Sequence, residues 1–247
     1  MTLLVALRGK DGLVLAADSR GTFGDPRGIT AQNDSQQKAH VLAPHVAVLQ
    51  AGTGEIGTLI VKEVASEIAG QSLDGATSVM NALRNRARED YNQWFPSVPA
   101  IPAPALVQSG QAPARPDLAF VIGGYEPIIE GQPPTPALYH LLSQLDFAPM
   151  LSDYGFAVQG VAQYALYLLN RLYEQDRTVD ELTSLAVYVI TETASQDGKV
   201  GGPVQVVTIT PEEGCNLLDA SLVSDVAVGN EARSRALRDS FFNRGKK

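Results

Sequence analysis

A layered α+β fold, two antiparallel sheets enclosed between pairs of helices, is the architecture the sequence predicts. Two observations carry this. Strand-like segments come in hairpins and meanders, and helix-like segments come in consecutive pairs, an order unlike strand–helix–strand alternation. The 247 residues are 45% hydrophobic and 19% charged, enough to bury a sizeable core. A single domain over residues 1–247 is expected, with a proline-rich insertion at about 96–116 and a C-terminal extension from about 212.

The elements follow in chain order. Leu3 to Leu7 and Leu13 to Ala17 are apolar runs separated by Gly9-Lys10-Asp11-Gly12, the chemistry of a β-hairpin turn. The stretch from Ser19 to Gln37 is polar and glycine-rich and reads as a loop. Val41-Leu42 and Val46 to Ala51 form short strands around Pro44, so the first fifty residues read as a β-meander. Ile56, Leu59, Ile60, Val64 and Ile68 recur at helical spacing over 53–70, as do Val79, Met80, Leu83, Ala87 and Tyr91 over 74–95. Asp74 is a candidate N-cap for the second helix. Residues 96 to 116 hold six of the fifteen prolines and exclude a helix or central strand. Strands return at Leu118 to Ile122 and Ala137 to Leu142. Helices are expected at 163–175 and 179–195, the latter with Asp180-Glu181 at its dipole-positive end. Val204 to Ile209 is a final strand.

Composition excludes several functions. Lys plus Arg total 19 against 27 Asp plus Glu, a net charge of −8, and there is no basic stripe for nucleic acid or an anionic membrane. No apolar run approaches the roughly 20 residues of a membrane span. One cysteine, Cys215, and three histidines without metal-ligand spacing argue against a disulfide framework or a zinc site. A cytoplasmic protein without cofactor or metal is expected.

Thr2 is the residue with the most chemical potential. If Met1 is removed, Thr2 carries a free α-amine beside its own hydroxyl. Such an amine, with an ordinary pKa of about 7.7–8.0, accepts a proton near neutrality and can activate a hydroxyl that is a poor nucleophile alone. Asp18 closes the second strand and Lys38 follows the polar loop. Together the three could form a charge-tuned site, the ammonium disfavouring protonation of the amine. Each also has an ordinary explanation: an edge-strand threonine, a strand-capping acid, a surface lysine. Gly52-Thr53-Gly54-Glu55-Ile56-Gly57 matches a dinucleotide-binding fingerprint in form only, because a helix rather than a βαβ unit follows it. A strand-to-helix turn of this kind can instead donate backbone N–H groups to an oxyanion. Gln196 to Gly202 is a second glycine-rich turn.

Thr2, Asp18, Lys38 and Gly52-Thr53-Gly54, in this order and spacing, resemble a proteasome β-type subunit, of the N-terminal-nucleophile hydrolases. The run TLLVALRGKDGLVLAADSRGT is similar to that family's opening hairpin, and FAVQGVAQYAL, RTVDELTSLAVYVI and DGKVGGPVQVVTIT extend the resemblance to about residue 210. It implies a four-layer αββα sandwich and a threonine-type endopeptidase, with Thr2 as nucleophile, Lys38 as electrostatic activator, Asp18 as its partner and the Gly52 N–H as oxyanion donor. It further implies that Asp197 braces the N-terminus, that Gly21 and Thr22 hold substrate as an added strand, and that His40 and Gln50 line the pocket before the scissile bond. A glutamine there implies a neutral or mixed cleavage preference. The implied partners are polypeptide substrates, further copies in a homo-oligomeric ring or double ring, and an ATPase unfoldase or α-type ring. The sequence departs from the family at Gly160 and Val200, where serines are usual, and in a Ser19–Gln37 loop about four residues longer. An inactive structural subunit and a small-molecule amidase of the same nucleophile class remain open.

Overall fold

The computed structural model describes residues 2–25, 28–95 and 115–242, except the side chains of 24, 25 and 28–30. Of the proline-rich segment expected at about 96–116, residues 96–114 lie outside the described residues.

Two five-stranded antiparallel sheets form the centre. The first has the order β10 (Phe156–Gly160), β1 (Leu3–Arg8), β2 (Leu13–Ala17), β11 (Gln205–Thr210) and β12 (Gly214–Leu217). The second runs β5 (Ala39–Ala43), β6 (Val46–Gly52), β7 (Leu118–Tyr125), β8 (Pro136–Leu142) and β9 (Met150–Leu151). Strand periodicity explains the stacking. On β1, Leu3, Val5 and Leu7 face one way, towards α3 (Ala162–Leu172) and α4 (Val179–Gln196), while Leu4 and Ala6 face the second sheet. On β6, Val46 and Val48 face α1 (Gly54–Gln71) and α2 (Ala76–Trp94), while Ala47 and Leu49 face the first sheet. Three apolar layers thus separate four structural layers, in the αββα order. Because both faces of each sheet are covered, the strands read as unbroken apolar runs such as LLVAL, not as alternation. Each fully buried aliphatic side chain contributes about 1.5–3 kcal/mol.

Several elements depart from the sequence reading. The Ser19–Gln37 segment contains a two-stranded hairpin, β3 (Gly21–Asp25) with β4 (Gly28–Asn33), which stands apart from both sheets. The first fifty residues are therefore no continuous meander: β2 pairs with β1 and β11, and β5–β6 belong to the other sheet. Asp74 is not the N-cap of α2. Gly75 is, and the Asp74 carboxylate accepts from the Gly75 N–H. Glu126 Oε1, from the end of β7, accepts from the Thr77 N–H at 3.2 Å and serves the exposed first turn in its place. α4 begins with a full capping box between Thr178 and Glu181. Beyond residue 212, β12 pairs with β11, and α5 (Ala220–Phe242) packs Val223, Val226 and Ala227 against the α4 side of the core. No described helix is long and apolar enough to cross a membrane.

Candidate active site

The register of the opening hairpin positions the site. Leu4 lies opposite Ala17, which brings Thr2 and Asp18 to the same end of β1 and β2. The Leu3 N–H donates to Asp18 Oδ1 at 2.9 Å. The Arg20 and Gly201 N–H groups each donate to Asp18 Oδ2 at 3.1 Å. Lys38, entering from the start of β5, donates through Nζ to Asp18 Oδ1 at 3.0 Å and to the Arg20 carbonyl at 2.7 Å. Asp18 is 0% exposed and Lys38 1%. Burial pulls the Lys38 ammonium below the usual lysine range, an effect that Asp18 opposes. A buried ion pair survives only when its remaining donors and acceptors are met, and here three backbone N–H groups and one carbonyl meet them.

Gln205 of β11 ties this corner together. Its Oε1 accepts from the Lys38 and Ala39 N–H groups at 2.9 and 3.1 Å, and its Nε2 donates to Ser19 Oγ and the Gln36 carbonyl at 3.0 and 2.7 Å. Arg20 forms a two-pronged pair with Asp34, at 2.7 and 2.8 Å, and donates to the Gly198 carbonyl at 3.1 Å. This joins the foot of the β3–β4 hairpin to the Gly198–Gly202 turn. Methyl groups on Gly201 and Gly202 would collide with Arg20 and Asp34, so the glycines of that turn make room for the clamp.

Thr2 is nearly buried and opens onto a cleft of about 550 Å³, whose walls include Gly21 and Thr22 on one side and Gly52, Thr53 and Gly54 on the other. Behind it lies an inner pocket, too tight for a water molecule, bordered by Thr2, Gln36, Lys38, Gln50 and Gly52. Gly52 has φ +103°, and a Cβ there would overlap the Asp117 carbonyl, so this turn requires glycine. The Gly52–Gly57 run opens α1, and Asp74 lies in the α1–α2 connection, which removes the dinucleotide reading.

Of the residues singled out from sequence, the fold brings Thr2, Asp18, Lys38, Gly21, Thr22, Gln50 and Gly52 to one place. Asp197 and His40 stand outside it. The Asp197 carboxylate accepts from the Lys199 N–H at 2.9 Å at the end of α4. His40 lies opposite Val48 on β5, borders neither cavity, and has a buried Nε2 without a partner among the described residues. Burial holds its pKa below the usual histidine value. The two departures have visible causes. Gly160 has φ +91° with its Cα against the Thr2 carbonyl, where any Cβ would overlap, while Val200 is fully buried in the apolar layer under α4. Sequence reasoning missed Arg20, Gln36 and Gln205. No local pattern marks them, since their partners are up to 186 residues away.

This fold is that of the proteasome-like N-terminal-nucleophile hydrolases. No family model matches the sequence. The chain is 28% identical over 215 residues to proteasome subunit beta 2 of Pyrococcus abyssi, covering 85% of this chain and 87% of that one. It is 24% identical over 234 residues to the proteasome subunit beta of Streptomyces griseus subsp. griseus, covering 92% and 74%. Among solved structures, Anbu, described as an ancestral beta-subunit, from Yersinia bercovieri matches with TM-score 0.69 at 19% identity, over 99% and 98% of the chains. The Gly-1 mutant of Anbu from Hyphomicrobium sp. strain MC1 matches equally well, with TM-score 0.69 at 19% identity over 100% and 99%. The sequence is thus distantly similar to proteasome β subunits over most of its length, and the architecture is that of Anbu.

Proposed function

We propose that this protein is a threonine-type endopeptidase that uses Thr2, freed of Met1, as its nucleophile. The observation that carries this is the sealed Lys38–Asp18 pair, anchored through Asp18 to the Leu3 N–H, one residue from the threonine. A buried charge of this kind is costly to keep and has its use in tuning a neighbouring ionisable group. Similarity to proteasome β subunits supports the same reading.

In the proposed reaction Thr2 Oγ attacks the scissile carbonyl carbon while the Thr2 α-amine takes the hydroxyl proton. The Lys38 ammonium keeps that amine unprotonated beforehand. The Gly52 N–H donates to the oxyanion of the tetrahedral intermediate, an interaction worth about 10²–10³ in rate. Collapse breaks the C–N bond, the amine's proton passes to the leaving nitrogen, and an ester on Thr2 Oγ remains. Water then attacks the ester carbon, giving its proton to the same amine. The Oγ–carbon bond breaks, Oγ regains a proton, and the free acid leaves. Substrate lies along β3 at Gly21 and Thr22 as an added strand. Asp197 holds the Gly198–Gly202 turn, and His40 supports β5 from outside the pocket. The single chain exposes Leu151, Tyr154, Tyr167, Val228, Phe241 and Phe242. Such surface fits burial between copies in a ring or double ring that confines the sites, with an unfoldase or α-type ring controlling entry.

Peptide hydrolysis by the wild type and by Thr2→Ala tests this reading. Loss of all turnover in the variant is expected, and turnover that survives contradicts it. A protein inert towards peptides but active on small amides would be an amidase of the same nucleophile class. One inert towards both would be a structural subunit.

A further inference from the structure

A second cavity opens at the end of the sandwich away from Thr2. β1 runs from Leu3 to Arg8, which at about 3.3 Å per residue puts Arg8 roughly 20 Å from Thr2. Tyr125 ends β7, whose first residue, Leu118, lies opposite Gly52. Arg8 and Tyr125 both border a cavity of about 700 Å³, a size suited to a small organic ligand. Pro134, Pro136 and Pro211 also border it and give it apolar surface on backbone of restricted freedom.

Two unmet donors stand at this cavity. Tyr125 is 4% exposed, yet its hydroxyl has no hydrogen-bond partner among the described residues, although a buried tyrosine normally finds one. Burial pushes that hydroxyl up to about 12, and Glu212, Arg8 and Asp11 act on it more weakly. It therefore stays a donor at neutral pH, and the charges around it are those that border the cavity. Arg8 makes no ion pair and no side-chain hydrogen bond among the described residues, and neither does the exposed Lys10 beside the same cavity. A guanidinium and a phenol hydroxyl together suit the two oxygens of a carboxylate. Asp11, Asp176 and Glu212 supply the opposite charge. One Asp11 oxygen accepts from the Val179 N–H at 2.8 Å, while the Asp176 and Glu212 carboxylates have no partner among the described residues. A plain anion meets repulsion from these three acids, and a plain cation meets it from Arg8 and Lys10. A molecule with a carboxylate at one end and an ammonium at the other meets neither.

We propose that this cavity is a binding site for a short peptide with both ends free, its C-terminal carboxylate held by Arg8 and the Tyr125 hydroxyl and its ammonium by Asp176 and Glu212. The volume exceeds what a single amino acid fills, and the proline surface accepts small apolar side chains between the two charged ends. Short peptides with free ends are also what peptide-bond hydrolysis releases. The fit, however, rests on residues remote from Thr2 and holds whether or not the chain is a peptidase.

Titration calorimetry on the full chain tests this, with Thr2→Ala in every protein so that no peptide is consumed. The probes are trialanine, its N-acetyl form, its C-terminal amide and free alanine. Trialanine is expected to bind, and blocking either end should weaken it by roughly 10-fold or more. Tyr125→Phe keeps the buried ring and removes only the hydroxyl, and Arg8→Gln removes the charge. Each should weaken trialanine by roughly 10-fold or more while the midpoint of urea unfolding stays in place. If Arg8→Gln does not fold, Tyr125→Phe decides alone. No heat of binding for trialanine at millimolar concentration would overturn the proposal. Binding that Tyr125→Phe leaves unchanged would put the ligand elsewhere, the cleft included, and overturn it as well. Either blocked form binding as tightly as trialanine would overturn the two-ended recognition, and free alanine binding as tightly would overturn the assignment to a peptide. The peptidase reading survives all of these outcomes, since none of them depends on Thr2.

Discussion

Lys38 Nζ lies 3.0 Å from Asp18 Oδ1, and neither side chain reaches solvent. Asp18 also receives three backbone N–H groups, so it is a structural anchor as well as a counter-charge. The two residues should therefore respond differently to substitution. Asp18→Ala should lower stability by about 3–5 kcal/mol, because it strands a buried ammonium and frees backbone donors. The midpoint of urea unfolding reads this, and an unchanged midpoint contradicts it.

Lys38→Ala should nearly abolish peptide turnover while the fold persists. Its residual activity should also show a different pH profile. The acid limb of kcat/KM in wild type should lie below the ordinary α-amine range of about 7.7–8.0 and move up towards it in the variant. Equal limbs in both proteins would remove Lys38 from the tuning of the amine.

Gly160→Ser restores the residue type usual in the resembled family but should not improve the enzyme. Gly160 occupies the left-handed region, and a Cβ there overlaps the Thr2 carbonyl. A loss of roughly 1–3 kcal/mol or more, with lower turnover, is expected. Thermal unfolding with a parallel activity assay measures both, and a serine variant as stable and as active as wild type contradicts the account.

His40 and His140 both have pKa values lowered by burial. The unfolded chain thus takes up protons that the folded chain refuses. The stability present above about pH 6.5 is lost as pH falls from there towards the lowered values, by at most about 1.4 kcal/mol per pH unit for each ring. His40→Leu should flatten that decline in urea titrations below about pH 6.5, since the buried ring that resists protonation in the folded chain is gone. An unchanged slope would show that His40 does not contribute.

Gln205→Leu withdraws the partner of four groups: the Lys38 and Ala39 N–H, Ser19 Oγ and the Gln36 carbonyl. A cost of about 2–4 kcal/mol is expected, together with a fall in turnover as the Lys38 backbone loosens. Wild-type stability in this variant would contradict the role given to Gln205.

How far the molecule could be read from its sequence depended on how local each signal was. The β1–β2 hairpin was legible because apolar runs flank a turn, and α1, α2 and α4 because their buried residues recur at helical spacing. Thr2, Asp18 and Lys38 were legible as a pattern, and the fold places Asp18 and Lys38 in contact beside Thr2. The β3–β4 hairpin was read as a loop because glycine and polar residues dominate GTFGD and GITAQN. β10 pairs with β1 from far away in the chain, so no hairpin turn beside it marks it as a strand. Helix α5 buries little more than Val223 and Asn230, so it lacks the apolar stripe that marks the other helices. Arg20, Gln36 and Gln205 acquire meaning only from partners that the fold delivers.

The central claim is that the α-amine of Thr2 serves as the proton acceptor for its own hydroxyl. Intact mass of the purified, catalytically competent protein tests it most directly. Every active preparation is expected to have lost Met1, with activity rising with the fraction processed. Full peptide turnover by a chain that still carries Met1 would contradict it.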